Sequence, residues 1–196
     1  MKALEIKRNG TLLAVVGTPN ALMFTINIFV SVEEHGGKLD IRGMNDLGND
    51  RTSHTTWLEL DSMNYGEILE IRFVETEIST VPVCEIATDA EEFIANQVEY
   101  EQQCLSEPFV PRLLAQKQPN ASLKLTFADR QLIVATFESG REFLSCRFFW
   151  SQWNSECCRV SLSSFSQQEA LARMGSREWY SGVLQQGESC VVEVEA

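Results

Sequence analysis

The chain has 196 residues, of which 44% are hydrophobic and 22% charged, the balance of one or two folded domains and not of a disordered chain. Its net charge is −12, and a field of that sign repels phosphate backbones and anionic lipid headgroups while attracting basic partners. Nucleic acid and membranes are therefore not expected among its partners.

From the N-terminus, residues 3–8 and 11–16 read as strands flanking Asn9-Gly10, the strongest hairpin signal in the chain. Leu12 to Val32 is apolar enough to suggest a membrane span. Gly17-Thr18-Pro19-Asn20 interrupts it, and Phe24, Ile26, Ile28 and Val30 alternate with Thr25, Asn27 and Phe29. Two strands around a turn account for this better than a helix in lipid. A long strand over 22–32 follows, then a turn at Gly36-Gly37 and a strand over 38–42. Asn45 to Thr56 is rich in Gly, Asn, Asp, Ser and Thr and reads as a polar loop. Strands over 57–60 and 67–75, divided at Asn64-Tyr65-Gly66, complete the first unit.

The stretch 73–111 contains nine acidic residues and no Lys or Arg. Thr88 and Glu91 have capping-box spacing ahead of a helix from Asp89 to about Glu107. Ile94, Val98 and Leu105, with Phe93, form its apolar side. Glu91, Glu92, Glu99 and Glu101 are the candidate docking surface for a basic protein, weighed against a plain solvated connector. Pro108 and Pro111 end the helix.

The second unit repeats the first. Leu4-Glu5-Ile6, a turn, Leu13 and Val15 return 119 residues later as Leu123-Lys124-Leu125, a turn, Leu132 and Val134. Trp57, Gly66-Glu67 and Leu69 return as Trp179, Gly187-Glu188 and Cys190. Strands are predicted over 122–127, 131–137, 142–151, 157–163 and 188–195, with a short helix capped by Ser166 and Glu169. The expected fold is mostly β, an internal duplication of two sandwich- or barrel-like units in tandem with an acidic helical connector. The expected divisions are 1–80, 81–120 and 121–196. A unit of about 72 residues buries little core alone, so an apolar joint between the units is expected.

Chemical signals are sparse. Six cysteines without a C-x-x-C pair, and an N-terminus without an apolar leader, suggest a reduced cytoplasmic protein. His35 and His54 are the only histidines and lack ligand spacing, and Asn45–Asp50 breaks the calcium-loop order, so neither metal nor cofactor is expected. No motif selects a nucleophile. Phe148, Phe149, Trp150 and Trp153 are the densest aromatic group; packing is the simpler role, and stacking on a ligand through Trp150 and Trp153 is the alternative. The expected function is a non-enzymatic interaction or adaptor protein with a basic partner, immunity- or inhibitor-like. The alternatives are a self-associating structural subunit using strand edges such as 188–195, and a carbohydrate-binding module or hydrolase.

Overall fold

A computed structural model describes residues 1–32, 35–49, 51–89, 121–171 and 175–196. Strands dominate because apolar side chains recur at every second position, so one face of each segment is apolar and seeks a partner sheet. In the first half these are β1 (Lys2–Arg8), β2 (Thr11–Val16), β3 (Ala21–Ser31), β4 (Gly37–Gly48), β5 (Arg51–Met63), β6 (Ile68–Glu75) and β7 (Cys84–Asp89). In the second they are β8 (Ser122–Phe127), β9 (Leu132–Thr136), β10 (Phe143–Ser151), β11 (Cys157–Phe165), β12 (Arg177–Gln185) and β13 (Ser189–Glu195). A 3₁₀ turn spans Gln152–Asn154, and among the described residues the helix α1 spans Gln167–Leu171.

The strands form two antiparallel sheets. The six-stranded sheet runs β2-β1-β6-β13-β8-β9, and the seven-stranded sheet runs β12-β11-β10-β3-β4-β5-β7. Each sheet thus takes strands from both halves. In place of one sandwich per unit, the halves share a single sandwich with one apolar core that includes Leu4, Phe24, Ile26, Phe73, Leu123, Phe148 and Val194. The physical reason is size, since neither half has enough inward-facing apolar surface to cover two sheets of its own.

Two seams join the halves. In one sheet β6 pairs with β13, with Ile71 opposite Cys190 and Leu69 opposite Val192. In the other β3 pairs with β10 from Met23–Ser151 to Ser31–Phe143. Beneath that seam Phe24 stacks on Trp150, ring centroids 4.7 Å apart and planes 11° from parallel. The sequence 188–195, expected to present a free edge, is β13, which is covered on both sides by β6 and β8.

The run Leu12–Val32 does become two strands, one in each sheet, and no described helix is long and apolar enough to cross a membrane. The expected loop over 45–56 is instead the β4–β5 hairpin, paired through Asn45–Ser53 and Arg42–Thr56. Its polar side chains are content in a sheet because they bond one another. Asn45 Nδ2 donates to Thr55 Oγ1 at 2.8 Å, Thr18 Oγ1 donates to Asn45 Oδ1 at 2.5 Å, and Ser53 Oγ donates to Glu85 Oε1 at 2.6 Å. Glu85 belongs to β7, which the sequence reading missed, and Thr88 lies in the same strand opposite Thr52. The remainder of the expected acidic helix lies outside the described residues.

Between β6 and β7 the chain crosses from one sheet to the other. Thr80 N donates to Val15 O at 2.9 Å, and Val15 N donates to Thr80 Oγ1 at 2.8 Å. Trp57 Nε1 reaches Thr80 O at 2.9 Å, and Val83 N reaches Thr56 O at 2.8 Å. This strap occupies backbone groups of β2 that would otherwise form an open edge. In the second half Ser166 and Glu169 make the expected capping box, Ser166 N donating to Glu169 Oε2 at 2.8 Å and Glu169 N to Ser166 Oγ at 3.0 Å. Hydrogen bonds from Arg141 and from the Ser166 amide hold the Glu169 carboxyl below its usual range.

Because one core serves both halves, they should unfold together. Phe24→Ala empties the space against Trp150 and is expected to cost about 3–5 kcal/mol. Urea titration should show one transition at lower midpoint, coincident for tryptophan fluorescence and circular dichroism. Two separated transitions would show that the halves hold cores of their own.

Candidate ligand-binding face

The central strands of the seven-stranded sheet turn their even-numbered side chains into the core. Ile26 and Ile28 of β3, Cys146 and Phe148 of β10, and Val160 and Leu162 of β11 are all buried there. Strand periodicity then sends the alternate side chains, odd-numbered in β3, β10 and β11 and even-numbered in β4, to the opposite face. In register across five strands these give one row of Asp40, Asn27, Arg147, Ser161 and Ser181. The next row is Lys38, Phe29, Ser145, Ser163 and Glu178.

A pocket of about 310 Å³ opens on this face. Ser145, Ser161, Ser163 and Ser176 supply hydroxyls, Arg147 and Glu178 supply charge, and Phe29 and Phe165 supply ring surface. Phe165 is steadied by stacking on Phe143, centroids 5.3 Å apart, and Ala170 of α1 closes one side. The capping box that starts α1 thereby helps to set a wall of the pocket.

Arg147 is the centre of the arrangement. Its Nε donates to Asn27 Oδ1 at 2.9 Å, and Asn27 is itself only 9% exposed. This bond uses the side of the guanidinium nearest the sheet, so the two terminal nitrogens are the ones left to meet solvent or a ligand. On the other side of Asn27, the buried Asp40 carboxylate accepts from Arg42 Nε at 3.0 Å. Asp40 is thus already engaged by Arg42.

A smaller pocket of about 220 Å³ lies at one side of the sandwich, between the β8–β9 turn and the β12–β13 turn, with Phe127, Asp129, Tyr180 and Glu188 in its wall. Burial pushes the Tyr180 hydroxyl up, so at neutral pH it serves as a neutral donor or acceptor.

The residues singled out from the sequence fall elsewhere. Trp150 is 6% exposed, stacked on Phe24, with its Nε1 donating to Ser155 O at 3.1 Å. It is a core residue, as the packing reading had it. Trp153 sits on the 3₁₀ turn and is 70% exposed, but it does not line the pocket. Glu91, Glu92, Glu99 and Glu101 lie outside the described residues, as does Asp50. His54 stands in β5 opposite Met44 and Ile86. Trp57 and Trp179 both turn inward, Trp179 Nε1 donating to Ser164 Oγ at 3.1 Å.

Sequence reasoning passed over Asn27, Arg147 and the serines. Their signal was parity: once the even positions of 144–150 and 158–162 are assigned to the core, the odd ones must share the other face. The chain matches no known protein family, no curated protein and no solved structure in comparisons with each.

The buried cysteines are poor nucleophiles. Burial pushes Cys146 and Cys158 well above the usual thiol range and Cys190 up to about 12, which keeps them protonated and unreactive. Cys84 is exposed and Cys157 half-buried. Alkylation at neutral pH followed by peptide mass mapping should label Cys84 ahead of Cys157 and leave Cys146, Cys158 and Cys190 intact until denaturant is added. The raised thiols favour the fold only while neutral. That stability is complete below the ordinary value of 9.0 and is lost as pH rises toward the folded-state values, so the urea midpoint should fall on the alkaline side.

Proposed function

We propose that the protein is a non-enzymatic binding protein whose ligand rests on the outer face of the seven-stranded sheet, and that this ligand is a small polyhydroxylated molecule of the saccharide kind. The observation that carries this reading is the pocket in which four serine hydroxyls, Arg147 and Glu178 stand among Phe29 and Phe165. A saccharide presents hydroxyl edges that need closely spaced donors and acceptors, and C–H faces that lie well on aromatic rings. The volume of about 310 Å³ is at the small end of ligand sites, which suits one or two sugar rings better than an extended chain.

The test is to fill the pocket. Ser161→Trp sets an indole on a half-exposed position of the outer face and leaves the core untouched. The wild-type melting temperature should rise in the presence of a bound saccharide, as binding to the native state requires, and this rise should vanish in S161W. An equal rise in both proteins would place the ligand elsewhere.

A second reading is favoured by charge. Residues 73–111 hold nine acidic and no basic residues, and Glu75, Glu77 and Glu85 of that stretch are exposed. A basic protein partner, met in an immunity- or inhibitor-like manner, would be drawn by this field. Binding to an immobilised panel of basic proteins should then weaken with salt and with Glu91, Glu92, Glu99 and Glu101 changed to Gln. Retention unchanged by either would remove this reading.

The sandwich itself we read as a duplication. Support comes from the matching pairs Leu4–Val16 and Leu123–Ala135, both residues displaced by 119 positions. The seams agree with it, since exchanging Leu69 with Cys190 and Ile71 with Val192 leaves the β6–β13 pairing unchanged. On this reading an approximate two-fold axis passes through both seams, and the ligand face is where the second half departs from the first.

A further inference from the structure

The positive charge on the ligand face has a narrower meaning. Arg147 and Arg159 project from the same face of β10 and β11: Arg147 stands opposite Ser161, and Arg159 opposite Phe149. They are diagonal cross-strand neighbours, about 7 Å apart by strand geometry. Neither pairs with a carboxylate among the described residues; Arg147 is held only by the neutral amide of Asn27. Several other arginines of the sandwich are compensated, Arg8 by Asp61, Arg42 by Asp40 and Glu59, and Arg141 by Glu138 and Glu169, whereas Arg72 donates to the Gly187 carbonyl oxygen. Two adjacent guanidinium groups without counter-charge repel each other, and in a chain with 28 acidic residues a partner for them was readily available.

We propose that this pocket binds the carboxylate of an acidic saccharide, the terminal nitrogens of Arg147 taking the carboxylate as a fork and Arg159 adding the neighbouring positive charge. The inference rests on the saccharide reading above and narrows it. Asn27 fixes the guanidinium plane, so that the fork is set before the ligand arrives. Ser145, Ser161 and Ser163 stand beside it as donors. A carboxylate fits better than a phosphate for a reason on the opposite wall. Glu178 also lines the pocket and has no cationic partner among the described residues. It accepts hydrogen bonds from sugar hydroxyls, while a second negative charge on the ligand would meet repulsion there. A singly charged polyol satisfies both walls.

The experiment is an amide-detected NMR titration of the full chain with glucuronate, galacturonate and N-acetylneuraminate. The neutral counterparts are glucose, galactose and N-acetylmannosamine, and inorganic phosphate is a separate arm. Wild type and Arg147→Gln are compared; position 147 is exposed, and circular dichroism checks that the variant is folded. At least one acidic sugar should bind about 10- to 100-fold more tightly than its neutral counterpart, as charge-assisted hydrogen bonds warrant. The shifts should centre on β10 and β11, and R147Q should abolish the preference for the acidic sugar over its neutral counterpart. Equal affinity for acidic and neutral sugars at these strands would overturn the carboxylate assignment and leave the saccharide face standing. Phosphate binding there more tightly than every acidic sugar would also overturn it. Shifts at β10 and β11 with none of the probes would remove both readings together.

Discussion

The pairing of β3 with β10 is the contact on which the rest of the molecule depends. It joins segments about 120 residues apart through nine paired positions, and it sets both faces of the central sheet at once. On the inner face it brings Phe24 against Trp150; on the outer face it brings Asn27 against Arg147. A slip of one residue would invert every side chain, burying Arg147 and exposing Phe148. The apolar side therefore fixes the register, and the polar side inherits its geometry from that choice.

The same logic governs the sandwich as a whole. Two halves that cannot each cover a core share one, and sharing leaves few free edges. The β6–β13 and β3–β10 seams convert what would be edge strands of each half into interior strands, and the strap at Thr80 occupies part of β2. At the far edge of the seven-stranded sheet β7 is covered by β5 on one side only, with Ile86 60% exposed. The acidic stretch that surrounds β7 in sequence is of the kind that discourages edge-to-edge pairing.

Most strands were legible because their period-2 patterns are strong: β1, β2, β3, β6, β8, β9, β10 and β13 fall within a residue or so of expectation. The Ser166–Glu169 cap was legible for the same reason, as its chemistry is local. The failures have a common cause. The 45–56 stretch has loop composition, and only long-range partners, Glu85 and Thr18 among them, make its Asn, Ser and Thr side chains acceptable within a sheet. β12 was hidden because Trp179 and Tyr180 both lean inward at a bulge opposite Leu162–Ser163, which breaks the alternation. The aromatic cluster drew attention to Trp150 although a strand with Phe148 and Trp150 in phase must turn them into the core. The informative positions were the polar ones between them.

Why the proposed binding face should lie over the best-packed part of the core follows from the cost of ordering. A guanidinium on a long, flexible stem loses rotamer freedom when it grips a ligand, and serine hydroxyls on a loop lose backbone freedom as well. Here Ser145, Arg147, Ser161 and Ser163 all lie within strands, each alternating with side chains that are fully buried or nearly so, and Arg147 is tethered at Nε by the buried Asn27. The ordering was completed when the core formed, so a ligand at the proposed face would meet groups already in position. The peripheral aromatic Trp153, exposed on a short turn, lacks that support. Rigidity inherited from Phe24, Phe148 and Trp150 is thus what distinguishes the central face from other polar surfaces of an acidic protein.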